Sequence, residues 1–90
     1  MATIKFTHAL KRFFPNLEEL EIQGTNLNEI LSKIDVKHPR FSSYIVDEQG
    51  VLRKHVNVFI DGSLIKDRIK LSDPVPEQSE IYIIQALSGG

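Results

Sequence analysis

Apolar positions change period several times along the chain, and each change marks an element. Ile4 and Phe6 alternate with Lys5 and Thr7, which predicts a strand over Thr3 to His8 with one buried face. Lys11-Arg12-Phe13-Phe14-Pro15-Asn16 follows as a loop that ends in turn residues. Leu20 and Ile22 then alternate with Glu19 and Glu21, so a second strand is predicted over Leu17 to Gln23, ended by Gly24. The period becomes helical at Leu27, Ile30, Leu31 and Ile34, which stand at i, i+3, i+4 and i+7 and form one apolar stripe. Thr25 or Asn26 caps its start, and Glu29 follows Asn26 at the spacing of a capping box. Lys33 and Lys37 lie toward the end, where a cation suits the helix dipole, and Pro39 stops the helix at His38. Phe41, Tyr44 and Ile45 repeat the helical spacing for a single turn.

Asp47-Glu48-Gln49-Gly50 is a turn, and Val51 to Lys54 is predicted as a short strand. Val56, Val58 and Ile60 alternate with Asn57 and Phe59 in a further strand. Asp61-Gly62 is the two-residue signal of a type I′ hairpin, with Ser63-Leu64-Ile65 as the return. Leu71 to Gln78 holds two prolines and reads as loop. Glu80 to Leu87 is the last strand; it is partly apolar on both faces, which places it in the middle of a sheet. The order strand, strand, helix, then two or three strands predicts an α+β fold: a mixed sheet packed on one main helix, the β-grasp arrangement, with the last strand parallel to the first. Residues 1–87 form its single domain, and residues 88–90 are expected as a flexible, exposed tail. Leu27, Ile30, Leu31 and Ile34 are expected against Val56, Val58, Ile60, Ile81 and Ile83.

Composition narrows the chemistry. Ninety residues support one core and leave little room for an elaborate active site. Eleven basic and twelve acidic residues give a net charge of −1, which argues against a nucleic-acid footprint. The short basic clusters Lys11-Arg12, Arg53-Lys54 and Lys66/Arg68/Lys70 read as solvated faces. There is no cysteine, hence no disulfide, thiolate metal site or cysteine nucleophile. The longest apolar run, Ile81 to Ile84, is far below the ~20 residues of a membrane helix. Met1 to Lys5 lacks the apolar stretch of a signal peptide, so the cytoplasm is the expected location. His8, His38 and His55 lack the spacing of metal ligands. The five glycines form no phosphate loop, and no G-x-S-x-G elbow supports a hydrolase. No metal and no cofactor is expected on this chain.

Two features remain. Ala86-Leu87-Ser88-Gly89-Gly90 follows the predicted central strand. Two glycines make a thin segment that can thread a narrow cleft, and a terminal carboxylate, with a reference pKa of roughly 3.3–3.7, is ionised near neutrality. A small, polar, disordered end is the alternative reading. The second feature is apolar side chains on outward faces: Phe59, if Val56, Val58 and Ile60 point inward, and Tyr82 with Ile84, if Ile81 and Ile83 do. Either a helical turn or loop covers them, or they form a docking patch for another protein beside the base of the tail.

The run His55-Val56-Asn57-Val58-Phe59-Ile60-Asp61-Gly62, then Leu71, then Glu80 through Gly90, resembles the ubiquitin-like sulfur-carrier family of the MoaD/ThiS type. That family includes the small subunit of molybdopterin synthase, the thiamine-pathway sulfur carrier and a cysteine-biosynthesis carrier. The N-terminal half is consistent, with Leu10-Lys11-Arg12-Phe13 after the first strand and a helix opened by Thr25 and closed by His38-Pro39. The chain departs from the family at Gln85, where Pro is frequent, and at Gln78-Ser79-Glu80, usually a Gly-Asp-Glu-like turn. The resemblance implies a non-catalytic carrier that acts with partner enzymes. A ubiquitin-activating-type adenylyltransferase, holding ATP and magnesium, would adenylate the Gly90 carboxylate. A sulfurtransferase would convert it to a thiocarboxylate, for delivery to a sulfur-accepting biosynthetic enzyme such as one of molybdopterin synthesis. Gly89 would be the required neighbour, and Phe59, Tyr82, Ile84, Leu87 and Ser88 the partner-binding residues. The alternative is a ubiquitin-like modifier conjugated through Gly90 to lysines of target proteins. A passive binding module and an autonomous enzyme fit less well. No nucleic acid or membrane partner is implied.

Overall fold

Burial alternates strictly along the first strand: Ala2, Ile4 and Phe6 are buried, while Thr3 and Lys5 are not. The computed structural model describes residues 1–85. Over that range the chain runs β1 (Ala2–Phe6), α1 (His8–Lys11), β2 (Leu20–Ile22), α2 (Leu27–Lys37), α3 (Phe41–Ile45), β3 (Val56–Ile60), β4 (Ser63–Leu64) and β5 (Glu80–Gln85). The strands form one sheet in the order β2-β1-β5-β3-β4. The last strand therefore sits in the centre, parallel to β1 and antiparallel to β3. This is the β-grasp arrangement expected from the sequence, with two short helices besides the main one.

The core lies on one face of that sheet. Ile4, Val56, Val58, Ile81 and Ile83 are fully buried, and the α2 stripe of Leu27, Ile30, Leu31 and Ile34 is buried as expected. Ile60, also expected inside, is only half-buried and packs at the margin of the core. Phe41 of α3 fills the end of the core, with its ring 5.4 Å from Phe6 and 5.5 Å from Phe14 in edge-on contacts.

The start of α2 is bound twice over. Asn26 Oδ1 accepts from the Glu29 amide at 2.8 Å. The Glu29 carboxylate reaches back to the Thr25 amide at 2.7 Å, one residue earlier than in the usual reciprocal box. The next two free amides, of Leu27 and Asn28, donate to the carbonyls of Asp73 and Leu71 in the loop before β5. That loop is shaped by two carboxylates. Asp73 accepts from the amides of Lys66 and Asp67. Asp67 accepts from the Ser72 hydroxyl and from the amides of Lys70, Ser72 and Ile69, bonds that hold its carboxyl down at about 2.

Three sequence expectations need correction. His8 opens α1 instead of ending the first strand, because Thr7 spends its amide on the Ile83 carbonyl and then turns the chain. Buried Leu10 anchors the turn, and four residues are too few to show a helical period. Only Leu20–Ile22 of the second segment pairs, since the Leu17 amide is taken by Phe14 in a turn and the Gln23 carbonyl by Lys33. Val51 to Lys54 is not a strand. Leu52 makes an isolated bridge to Val46, and its amide donates to Arg68, while the Arg53 amide returns to Ile45.

Since the α2 stripe closes the core, Leu31→Ala is expected to cost about 2–5 kcal/mol in urea unfolding, the range of core truncations. A loss under about half a kcal/mol, the size of a surface substitution, would mean that the stripe meets no packed core.

Candidate functional site

The buried side chains of β1, β3 and β5 alternate with more exposed ones, so the described residues leave the other face of the sheet partly open at its centre. Tyr82 and Ile84 point there from β5. The register sets Phe59 of β3 opposite Tyr82 and Asn57 opposite Ile84, while Lys5 of β1 lies beside Tyr82 on the other side. Phe59, Tyr82 and Ile84, with Gly62 and Glu80, line a shallow depression of about 300 Å³. Tyr82 is 38% exposed, and Phe59 and Ile84 are half-buried. The three side chains are therefore partly open to solvent, not sealed beneath a helical turn or loop of the described residues. The other expected site residues, Leu87, Ser88, Gly89 and Gly90, lie outside the described residues, as does the boundary at residue 87.

The patch has a fixed polar rim. Lys5 Nζ and Glu80 Oε2 stand 3.2 Å apart on the surface, and the Glu80 carboxylate raises the Lys5 amine above its ordinary value. At the far end Asp61 and Gly62 both take positive φ, 51° and 84°, as a type I′ turn requires. The Asp61 carboxylate accepts from the Glu80 amide at 2.9 Å and from the hydroxyl of buried Ser79 at 2.9 Å. These two bonds pull its pKa below the ordinary value. The hairpin turn is thereby locked to the first residues of the central strand.

Arg68 was expected in a solvated basic cluster and instead is half-buried. β4 spans only two residues, so the β3 carbonyls before Phe59 face an unpaired edge. Ile65 donates its amide to Val58, and Arg68 supplies the rest: Nη2 donates to the carbonyls of Val56 at 2.9 Å and Arg53 at 2.7 Å, and Nη1 to Asn57 Oδ1 at 3.2 Å. The available sequence signal was its place between buried Ile65 and buried Leu71.

On the core side of β5's end, Ser43, Tyr44, Arg53, His55 and Gln85 line a second recess of about 270 Å³. Tyr44 also packs against exposed Phe13, with tilted rings whose centres are 5.0 Å apart. Among the described residues no three His, Asp or Glu side chains gather as a metal site requires, and no helix is long and apolar enough to cross a membrane. The patch combines apolar contact area with polar groups at its rim.

Comparison with known proteins gives one family model for the sequence and several solved structures for the fold. The family model described as the ThiS family covers residues 4–90. A chain of the Amycolatopsis orientalis BexX/CysO complex is similar over 100% of both chains, with a TM-score of 0.85 and 19% identity. CysO of Mycobacterium tuberculosis, described as an antigen, is similar over 97% of this chain and 100% of its own, with a TM-score of 0.82 and 16% identity. The small archaeal modifier protein 1 of Methanosarcina acetivorans is similar over 99% of this chain and 95% of its own, with a TM-score of 0.79 and 22% identity. No match was found among curated proteins.

The Asp61 lock has a pH signature. A carboxyl whose folded pKa is depressed contributes stability above its ordinary value, near 3.8, and loses it as pH falls through the folded value. Asp61→Asn is therefore expected to melt below wild type at neutral pH, with the gap closing in acid. Melting curves across that range check it, and a gap of constant size would mean that the carboxylate is not the stabilising group.

Proposed function

Because this chain belongs to the ThiS family, matched from residue 4 to residue 90, we propose that it is a sulfur carrier whose reactive group is the carboxylate of Gly90. The carboxylate oxygen attacks the α-phosphorus of ATP on an activating enzyme, releasing pyrophosphate and forming an acyl-adenylate. A sulfur nucleophile at the oxidation level of hydrosulfide then adds to the acyl carbon. The C–O bond to AMP breaks, a C–S bond forms, and the terminus becomes a thiocarboxylate. ATP and magnesium belong to the activating enzyme, and this chain acts as a non-catalytic partner that hands its sulfur to a biosynthetic enzyme. Gly89 and Gly90 leave the backbone near the reacting carbon free of Cβ atoms, which suits passage through a narrow cleft.

The observation that carries this reading is the open patch that Phe59 of β3 forms with Tyr82 and Ile84 of β5, the strand that leads directly into residues 86–90. A partner seated on that patch stands beside the root of the segment that it must reach. Five residues from Ala86 onward span on the order of 16 Å when extended, at about 3.3 Å each, so the body of the carrier stays outside the nucleotide site. A second reading is favoured by the likeness to small archaeal modifier protein 1: conjugation through Gly90 to lysines of other proteins. It shares the activation step and differs in the acceptor, an amine in place of sulfur.

Two experiments test the proposal. Intact mass after incubation with the source organism's adenylating enzyme, ATP and a sulfide donor is expected to rise by the exchange of one oxygen for sulfur. Deleting Gly90 should abolish both this gain and ATP–pyrophosphate exchange. Lysine-linked conjugates in cell extract without a thiocarboxylate would favour the modifier reading, and exchange by the truncated chain would overturn both. Separately, Ile84→Asp is expected to keep the melting transition, since Ile84 lies outside the core, and to raise the half-saturating carrier concentration for exchange by more than tenfold, as loss of a central interface anchor does. Unchanged saturation would place the docking surface elsewhere.

A further inference from the structure

Asn57 lies on the bare face, opposite Ile84 and two residues before Phe59, yet it is the one polar side chain that β3 places there. Its orientation is fixed by elementary chemistry. A guanidinium only donates hydrogen bonds, so the amide atom 3.2 Å from Arg68 Nη1 must be the oxygen. The amide nitrogen is then on the other branch of the same planar group, turned away from Arg68. Among the described residues nothing accepts from it: every hydrogen bond of the Asn57 side chain found there is the one to Arg68. Arg68 is itself held by the Arg53 and Val56 carbonyls, and its own backbone carbonyl by the Leu52 amide, so turning away from Asn57 would break two further bonds of its guanidinium. The result is a donor on the same face as Phe59, Tyr82 and Ile84, beside Ile84 in the register and next to the depression that the three line.

We propose that Asn57 is a specificity-determining residue of this docking face, its NH₂ donating to a main-chain carbonyl of the activating partner, and that Arg68 is its positioning residue. A carbonyl is the fitting acceptor. A partner carboxylate would be desolvated against Phe59 and Ile84 with a neutral amide as its donor, whereas Arg68 directs three of its five N–H groups to oxygens of this chain. The inference rests on the proposed docking of the activating enzyme at this face. A wrong partner that buried the patch without a carbonyl at this point would leave the amide unpaired, at a cost comparable to a lost hydrogen bond.

The test uses the full chain, the source organism's adenylating enzyme and ATP–pyrophosphate exchange. Asn57→Asp keeps the acceptor for Arg68 and removes the donor, and Asn57→Leu keeps the approximate shape and removes both. Both are expected to raise the half-saturating carrier concentration about tenfold with the maximal rate unchanged, the size of one unpaired buried group. Melting curves identify any variant that has lost its fold, and Asn57→Asp, which retains the Arg68 bond, stands if Asn57→Leu does not. In the isotope-labelled wild-type chain, the Asn57 side-chain amide protons should shift and become protected from exchange when the enzyme binds. Saturation like wild type by a folded Asn57→Leu, or an amide signal unmoved in the complex, would overturn the inference. Parallel measurement of Ile84→Asp separates the two levels. If Ile84→Asp is impaired and the Asn57 variants are not, only the amide's role fails; if all saturate like wild type, the docking face fails with it.

Discussion

The structure depends on β5 being hydrogen-bonded along both edges. β1 holds it in parallel on one side and β3 in antiparallel on the other, so the last segment of the described chain is its most constrained strand. Parallel pairing of β1 with β5 joins residues far apart in sequence, so it carries the loop-closure cost of the whole stretch between them. Everything between the two strands serves that closure. α2 and α3 cover one face, and the loop over residues 66–79 returns the chain to the correct edge while tying down the start of α2. A central strand can be covered by helices on one side and remain bare on the other, and this asymmetry creates the patch of Phe59, Tyr82 and Ile84.

The regular elements were legible because their residues repeat at the period of their structure. The α2 stripe, the alternation in β3 and the Asp61-Gly62 turn each declare themselves within a few residues, and the two-sided apolar character of Ile81 to Ile84 gave away a central strand. The outward set of Phe59, Tyr82 and Ile84 followed from the same alternation. What was not legible is fixed by partners distant in sequence. Val51 to Lys54 has strand-like composition, but its backbone groups are claimed by α3 and by Arg68. α1 is too short for a period, and its anchor, Leu10, is recognisable only when β5 is seen beneath it.

The polar groups that organise the loops were hidden for a related reason. Asp61 reads as an ordinary turn residue, and Asp67 and Asp73 carry no signal of their own, yet each carboxylate collects amides or hydroxyls from residues that only the fold assembles. Leu71 and Gln78 adopt positive φ without being glycine, at 56° and 62°. Leu71 is compensated by burial and by the bond from the Asn28 amide to its carbonyl. The basic triplet Lys66/Arg68/Lys70 shows the limit of charge patterning most directly. Two of its members are exposed, and the third lies half-buried against the edge of β3.

That edge has a consequence for the protein in a crowded solution. A sheet that ends in a two-residue strand leaves β3 with carbonyls able to recruit a strand from another copy, and a net charge of −1 provides little repulsion between copies. Arg68 occupies the Val56 carbonyl with a side chain, which satisfies the acceptor without extending the ladder. With the Val58 carbonyl taken by the Ile65 amide and the Val56 carbonyl by this guanidinium, the exposed stretch of β3 presents an incoming strand with acceptors that are already occupied.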